Sequence, residues 1–257
     1  MDAKLEVLAA IVAIVAVAGT AAADEKGAVR VAGLQVVAAG AGKNGSELRA
    51  FHEQSGVKLA LVAEAPEGRF FVEVDDDRCE LIKLVDSSGR DLLDGVDWDS
   101  FPDISEDGRF VLVDVGSKVR PAPGATTLVA HGSLHARVAA GTVTVKVDPF
   151  ELREGFEFDV QGQSLHVVKL ISEDGLTVMF QTSRSFDEDL KEVRFFDADG
   201  QPVEVWGRGS MTLGNSTQVE FNLEGNPESL SAEFELWQEP ETVELPFELA
   251  VGLGLGE

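Results

Sequence analysis

The chain has no tyrosine and a single cysteine, Cys79, among its 257 residues. Tyrosine serves contact faces because its ring packs while its hydroxyl stays wet, so its absence weighs against an antibody-like or lectin-like binding face. What remains for aromatic contacts is 15 phenylalanines and three tryptophans, Trp98, Trp206 and Trp237. One thiol cannot bridge within its own chain, so the fold must stand on packing alone. Cys79 lies in the strand-like run CELIKLV and reads as a small buried apolar residue. Basic residues are also scarce. Lys and Arg number 21 against 46 Asp and Glu, a net charge of −25. Such a surface repels phosphate backbones and anionic lipid, which excludes nucleic acid and the membrane as partners of the mature chain. It favours solubility, cation binding or a salty medium that screens the self-repulsion.

Catalytic signatures are missing too. The chain contains no G-x-S-x-G elbow, no H-E-x-x-H, no phosphate-cradling G-x-x-x-x-G-K and no cysteine cluster. His52-Glu53-Gln54-Ser55 begins like a zinc motif but lacks the second histidine. The expectation is a protein that is not an enzyme.

What the sequence does have begins at its amino terminus. Lys4 precedes an apolar stretch from Val7 to Ala18, broken by Gly19 and Thr20, and Ala21-Ala22-Ala23 stand before Asp24-Glu25. This is the order of a secretory signal with an A-x-A site, so residues 1–23 read as a signal peptide with the mature chain starting at Asp24. An uncleaved apolar helix is the competing reading, although Val7–Ala23 falls short of the ~20 residues that usually span a bilayer. The location implied is secreted or cell-surface, in a bacterial periplasm or outside the cell.

Beyond the signal, apolar and polar residues alternate with a period of two. Runs such as VKLALVA (57–63), RFVLVDV (109–115), TVTVKV (142–147), LTVMF (176–180) and TQVEFNL (217–223) are short and divided by turn residues. That pattern predicts an all-β chain of antiparallel sandwiches. Only Gly45–Ser55 has helical spacing. The sequence also repeats itself. Leu81–Gly89 (LIKLVDSSG) aligns with Glu192–Gly200 (EVRFFDADG), and Thr142-Val143 with Pro149–Leu152 (PFEL) aligns with Thr242-Val243 and Pro246–Leu249 (PFEL). If PFEL ends each unit, two tandem Ig-like β-sandwich domains follow, at 28–152 and 153–257.

Candidate sites are few. Asp197-Ala198-Asp199-Gly200 has alternate aspartates before a glycine, as in the opening of a calcium loop, so Asp197 and Asp199 are candidate calcium ligands; a plain hairpin turn explains the same residues. Asp75-Asp76-Asp77 reads as a solvated loop. His131 and His135 would sit roughly 13 Å apart along a strand, too far for one metal. Trp206 and Trp237 alternate with polar neighbours and read as core residues. Two apolar strands, Ala28–Ala38 and Leu249–Gly256, are available for pairing with a neighbouring subunit, which would make a homo-oligomer.

The closing run Val243–Leu255 (VELPFELAVGLGL) resembles the endings of uncharacterised secreted β-sandwich repeat proteins of planctomycete-type bacteria. That resemblance implies export and sandwich repeats, and no activity. Two functions remain open: a non-catalytic extracellular structural or interaction subunit of a cell surface, matrix or filament, whose partners are other subunits or itself, and a secreted module binding carbohydrate or calcium, with no other cofactor expected.

Overall fold

A computed structural model describes residues 28–37, 40–41, 47–48, 55–98, 101–172 and 175–254. The expected signal peptide, His52 and Glu53 lie outside these residues. Strand follows strand: β1 (Val29–Val37), β2 (Gly40–Ala41), β3 (Glu47–Leu48), β4 (Gly56–Glu64), β5 (Phe70–Val74), β6 (Glu80–Asp86), β7 (Asp97–Trp98), β8 (Asp103–Ile104), β9 (Phe110–Ser117) and β10 (Thr127–Ala139). There follow β11 (Gly141–Glu151), β12 (Glu157–Val160), β13 (Gln163–Ser172), β14 (Leu176–Ser183), the short helix α1 (Arg184–Asp189), β15 (Leu190–Phe196), β16 (Pro202–Val203), β17 (Val205–Leu213), β18 (Ser216–Leu223), β19 (Ser229–Gln238) and β20 (Glu241–Gly252). Among the described residues, these pairings between strands are antiparallel. The all-β sandwich expectation is what the structure shows.

Alternation is the cause. Along β4 the residues Val57, Leu59, Leu61 and Ala63 are all buried, while Lys58, Ala60 and Val62 between them are only half-buried. Because successive side chains point to opposite faces, one face of each strand becomes core. The exception to the strand pattern also has local causes. In α1 the Ser183 hydroxyl accepts from Phe186 N–H at 3.1 Å, Arg184 pairs with Glu188 one turn on, and Phe186 is buried. That cap, with a buried anchor, holds a helix too short to persist alone. The helix expected at Gly45–Ser55 is not there at Glu47–Leu48, which forms strand β3 on Gly40–Ala41. A ladder of main-chain hydrogen bonds satisfies these residues, Ser55 forms a bend, and the rest of that segment lies outside the described residues.

The chain divides into two compact units, and they are not in series. One comprises the residues up to Val138 together with those from Glu241, and the other spans Ala139–Pro240. In the first unit, the sheet β1-β4-β9-β7, with β8 also on β9, faces a sheet in which β10 is flanked by β20 and by β5 and β6. Their shared core holds Leu59, Leu61, Val113, Phe71, Leu84, Leu128 and Leu134. In the second unit, β11-β19-β15-β16 faces β12-β13-β14-β18-β17 across a core rich in Phe. Phe180, Phe195 and Phe221 meet there with centroids 5.3–6.3 Å apart.

The units therefore do not coincide with 28–152 and 153–257. PFEL does not close a unit in either place. Pro149–Leu152 ends the first strand of the second unit, where Phe150 is buried, whereas Pro246–Leu249 lies in the last strand of the first unit, where Phe247 is buried. The reason is pairing. β20 runs antiparallel to β10 from Thr127↔Gly252 to Val138↔Glu241, and β11 runs along β19 from Gly141↔Gln238 to Glu151↔Ser229. The second unit is an insertion between two strands that are neighbours in the first.

Candidate functional site

The proposed calcium loop is the turn between β15 and β16. Asp197 Oδ1 accepts from the N–H groups of Asp199 at 2.9 Å and Gln201 at 2.8 Å, Asp197 N–H donates to the Gln201 carbonyl, and Gly200 takes φ 73°. This is an Asp-capped turn in which glycine supplies the left-handed conformation. The same construction stands in the first unit. Asp86 Oδ1 accepts from Ser88 N–H at 2.8 Å, the Ser88 hydroxyl at 2.6 Å and Arg90 N–H at 3.0 Å, and Gly89 takes φ 82°. The sequence repeat around these aspartates is thus a repeat of geometry. Asp86 goes further, because its Oδ2 accepts from Ala122 N–H at 2.7 Å. That donor above all, then the Ser88 hydroxyl and the other N–H groups, pushes the Asp86 carboxyl down to about 2.

Among the described residues, no three His, Cys, Asp or Glu side chains are grouped to hold a metal ion. Asp75 leads into a single 3-10 turn, Asp76–Arg78, that delivers the chain to Cys79. Cys79 is buried, its sulfur accepts from His135 N–H at 3.3 Å, and burial pushes its thiol up. His131 and His135 both lie half-buried on β10. They face different cross-strand partners, Glu248 and Glu244. His131 Nε2 stands 3.1 Å from Glu248 Oε1, close enough for an ion pair but without hydrogen-bond alignment.

The tryptophans do not behave alike. Trp98 packs against the core of the first unit. Trp206, expected in a core, is 64% exposed. It sits on β17, the edge strand of its sheet, and is not among the residues packed on the core of the second unit. Trp237 is half-buried at the surface, with Lys191 Nζ 5.1 Å above its ring, and is likewise outside the core. Met211 at 66% and Leu213 at 84% join Trp206 as exposed apolar residues of the same nine-residue strand. Each edge strand leaves main-chain groups unpaired, and among the described residues no strand pairs with the outer edge of β17. The two apolar terminal strands are placed otherwise. Both are edge strands of the first unit, β1 on β4 and β20 on β10, with Val29, Val251 and Leu253 buried.

One polar cluster has no counterpart among the sequence-derived candidates. A hollow of about 560 Å³ opens on the second unit, lined among others by Ser164, His166, Gln181 and Ser216. Ser164 donates to Glu157 at 2.5 Å, and His166 Nε2 lies 3.2 Å from the Ser164 hydroxyl and 3.5 Å from Glu157. The β12–β13 hairpin makes this cluster. Its two-residue loop, Gln161-Gly162, takes φ 53° and 81°, which sets Glu157 opposite His166. Ser-x-His on one strand was the available signal, since residues two apart share a face. Chemically the cluster is not a relay. A serine nucleophile needs its base oriented by a carboxylate on the opposite ring nitrogen, whereas here serine and carboxylate converge on the same one. It offers hydrogen bonds to a polar molecule. No family model, curated protein or solved structure matches the chain, so these residues must speak for themselves.

Proposed function

We propose that the protein is a non-catalytic extracellular structural or interaction protein, a subunit of a cell surface, matrix or filament, exported by its amino-terminal signal. The observation that supports this most is β17. Trp206, Met211 and Leu213 are exposed on a strand with a free edge, and Val205–Leu213 contains no acidic residue in a chain of charge −25. Self-repulsion between copies is weakest where acid is missing, and an apolar edge offers both main-chain hydrogen bonds and side-chain contact to a strand of a partner. The partner is another subunit or a second copy.

Size-exclusion chromatography and negative-stain imaging of the chain from Asp24 test the proposal. Oligomers or polymers that dissolve when Leu213→Lys and Met211→Lys are introduced together support it. A strict monomer at every concentration, in low and high salt, removes the assembly reading.

A further inference from the structure

Strand for strand, the two units repeat one sheet. In the first, β6 ends in the Asp86 turn and pairs with β10, and β10 pairs on its other side with β20, which carries Pro246-Phe247-Glu248-Leu249. In the second, β15 ends in the Asp197 turn and pairs with β19, and β19 pairs on its other side with β11, which leads through Pro149-Phe150-Glu151 to Leu152. On the middle strands, Gly132 of β10 faces Phe247 and Leu230 of β19 faces Phe150, while Ala130 and Ala232, which face Leu84 and Phe195, are each buried in their own core. The sheets β6-β10-β20 and β15-β19-β11 are therefore equivalent in strand order and direction.

Chain order is not equivalent to this arrangement. β11 follows β10 after Ala140 alone, and β20 follows β19 after Glu239 and Pro240. A repeat closed on itself would fold its last strand back on the one before it as a hairpin. Instead, the last strand of residues 28–152 completes the sandwich built by the second repeat, and the last strand of 153–257 completes the sandwich built by the first.

We infer that the molecule is a reciprocal strand exchange between two homologous repeats, in which each half is the obligate partner of the other. Opening a hairpin hinge into extended strand is the step by which identical subunits exchange elements, and the single residue Ala140 between β10 and β11 is too short a loop to close those two strands as a hairpin. The recognition chemistry is a docked strand of pattern T-V followed by P-F-E-L. It adds a full ladder of main-chain hydrogen bonds to β10 or β19 and sends its phenylalanine into the receiving core. The covalent link between the halves, the turn Arg153-Glu154-Gly155, is exposed and takes no part in either ladder. The inference does not depend on where the protein resides or on whether it polymerises.

A specific protease site inserted between Glu154 and Gly155 of the full chain tests this. After cleavage, the halves are expected to elute together at the mass of the uncut chain, keep their strand signal, and part only in denaturant. Two separately eluting, folded halves would overturn the inference. A second variant guards against a cut chain that fails to stay folded. Thr144→Cys on β11 and Glu235→Cys on β19, which are cross-strand partners, are oxidised before cleavage in a Cys79→Ser background. The halves are then expected to remain joined on a non-reducing denaturing gel. Halves that run free after oxidation would show that β11 does not lie on β19, and would likewise overturn it.

Discussion

Replacing Phe247 by alanine should destabilise the first unit, not the unit Ala139–Pro240 that precedes its strand in sequence. Phe247 is 7% exposed, and its ring lies across Gly132 of β10, where a Cβ would stand 2.7 Å from the ring carbon Cζ and 2.1 Å from the Glu80 carbonyl oxygen. Truncating a buried phenylalanine typically costs about 3–5 kcal/mol, and an edge strand that can settle inward points to the lower half of that range. With a urea dependence of about 2 kcal/mol per molar, the unfolding midpoint should fall by roughly 1.5–2 M. The assay is urea unfolding followed by the fluorescence of Trp98, the tryptophan of the first unit, in a Trp206→Phe, Trp237→Phe background, and by that of Trp237, in the second unit, in a Trp98→Phe, Trp206→Phe background. Phe150→Ala is the mirror experiment. Its ring stacks on Phe158 at 4.9 Å and Phe156 at 5.5 Å, so it should shift the transition seen by Trp237 by a similar amount. If Phe247→Ala moved the Trp237 transition and left that of Trp98 in place, the assignment of β20 to the first unit would be refuted.

Three further outcomes are expected. The Asp86 carboxyl is held at about 2, below its ordinary 3.8, so its contribution to stability is complete above about pH 4 and is lost as pH falls toward 2; the stability difference between the wild type and Asp86→Asn, from urea midpoints at pH 7, 4 and 2.5, should shrink over that window. Asp197 Oδ1 is already committed to two N–H donors, so a thermal scan with millimolar calcium against EDTA should show no shift, and a calcium-dependent rise abolished by Asp199→Asn would return Asp197 and Asp199 to the role of ligands. Leu213→Lys, at a site 84% exposed, should leave the unfolding free energy from urea titration within about 0.5 kcal/mol of wild type while reducing self-association measured by light scattering.

Much of the architecture was legible because it depends on local pattern. The alternation in VKLALVA or RFVLVDV is a property of a strand with one face in a core, whichever strand it meets. The aspartate turns were legible for the same reason, since an Asp two and four residues before the N–H groups it caps needs no distant partner. The edge position of Trp206 was not legible, because an alternating strand reads the same at the centre of a sheet and at its rim. Nor was the Glu157–Ser164–His166 cluster. It requires the register of the β12–β13 hairpin, and Gln161-Gly162 is a weaker turn signal than Asn-Gly.

The sequence by itself determined that this chain is all-β, that it is built twice from one pattern, and that Asp86 and Asp197 turn it in the same way. These are short-range facts, carried by side-chain alternation and by φ-tolerant glycines. Only the tertiary structure decided to which sandwich each copy of Pro-Phe-Glu-Leu belongs. A strand's hydrogen-bonding edge accepts any strand of fitting pattern, whichever copy supplies it. The choice in favour of exchange lies in which strand pairs with which, β20 on β10 and β11 on β19, and no residue within either copy records it.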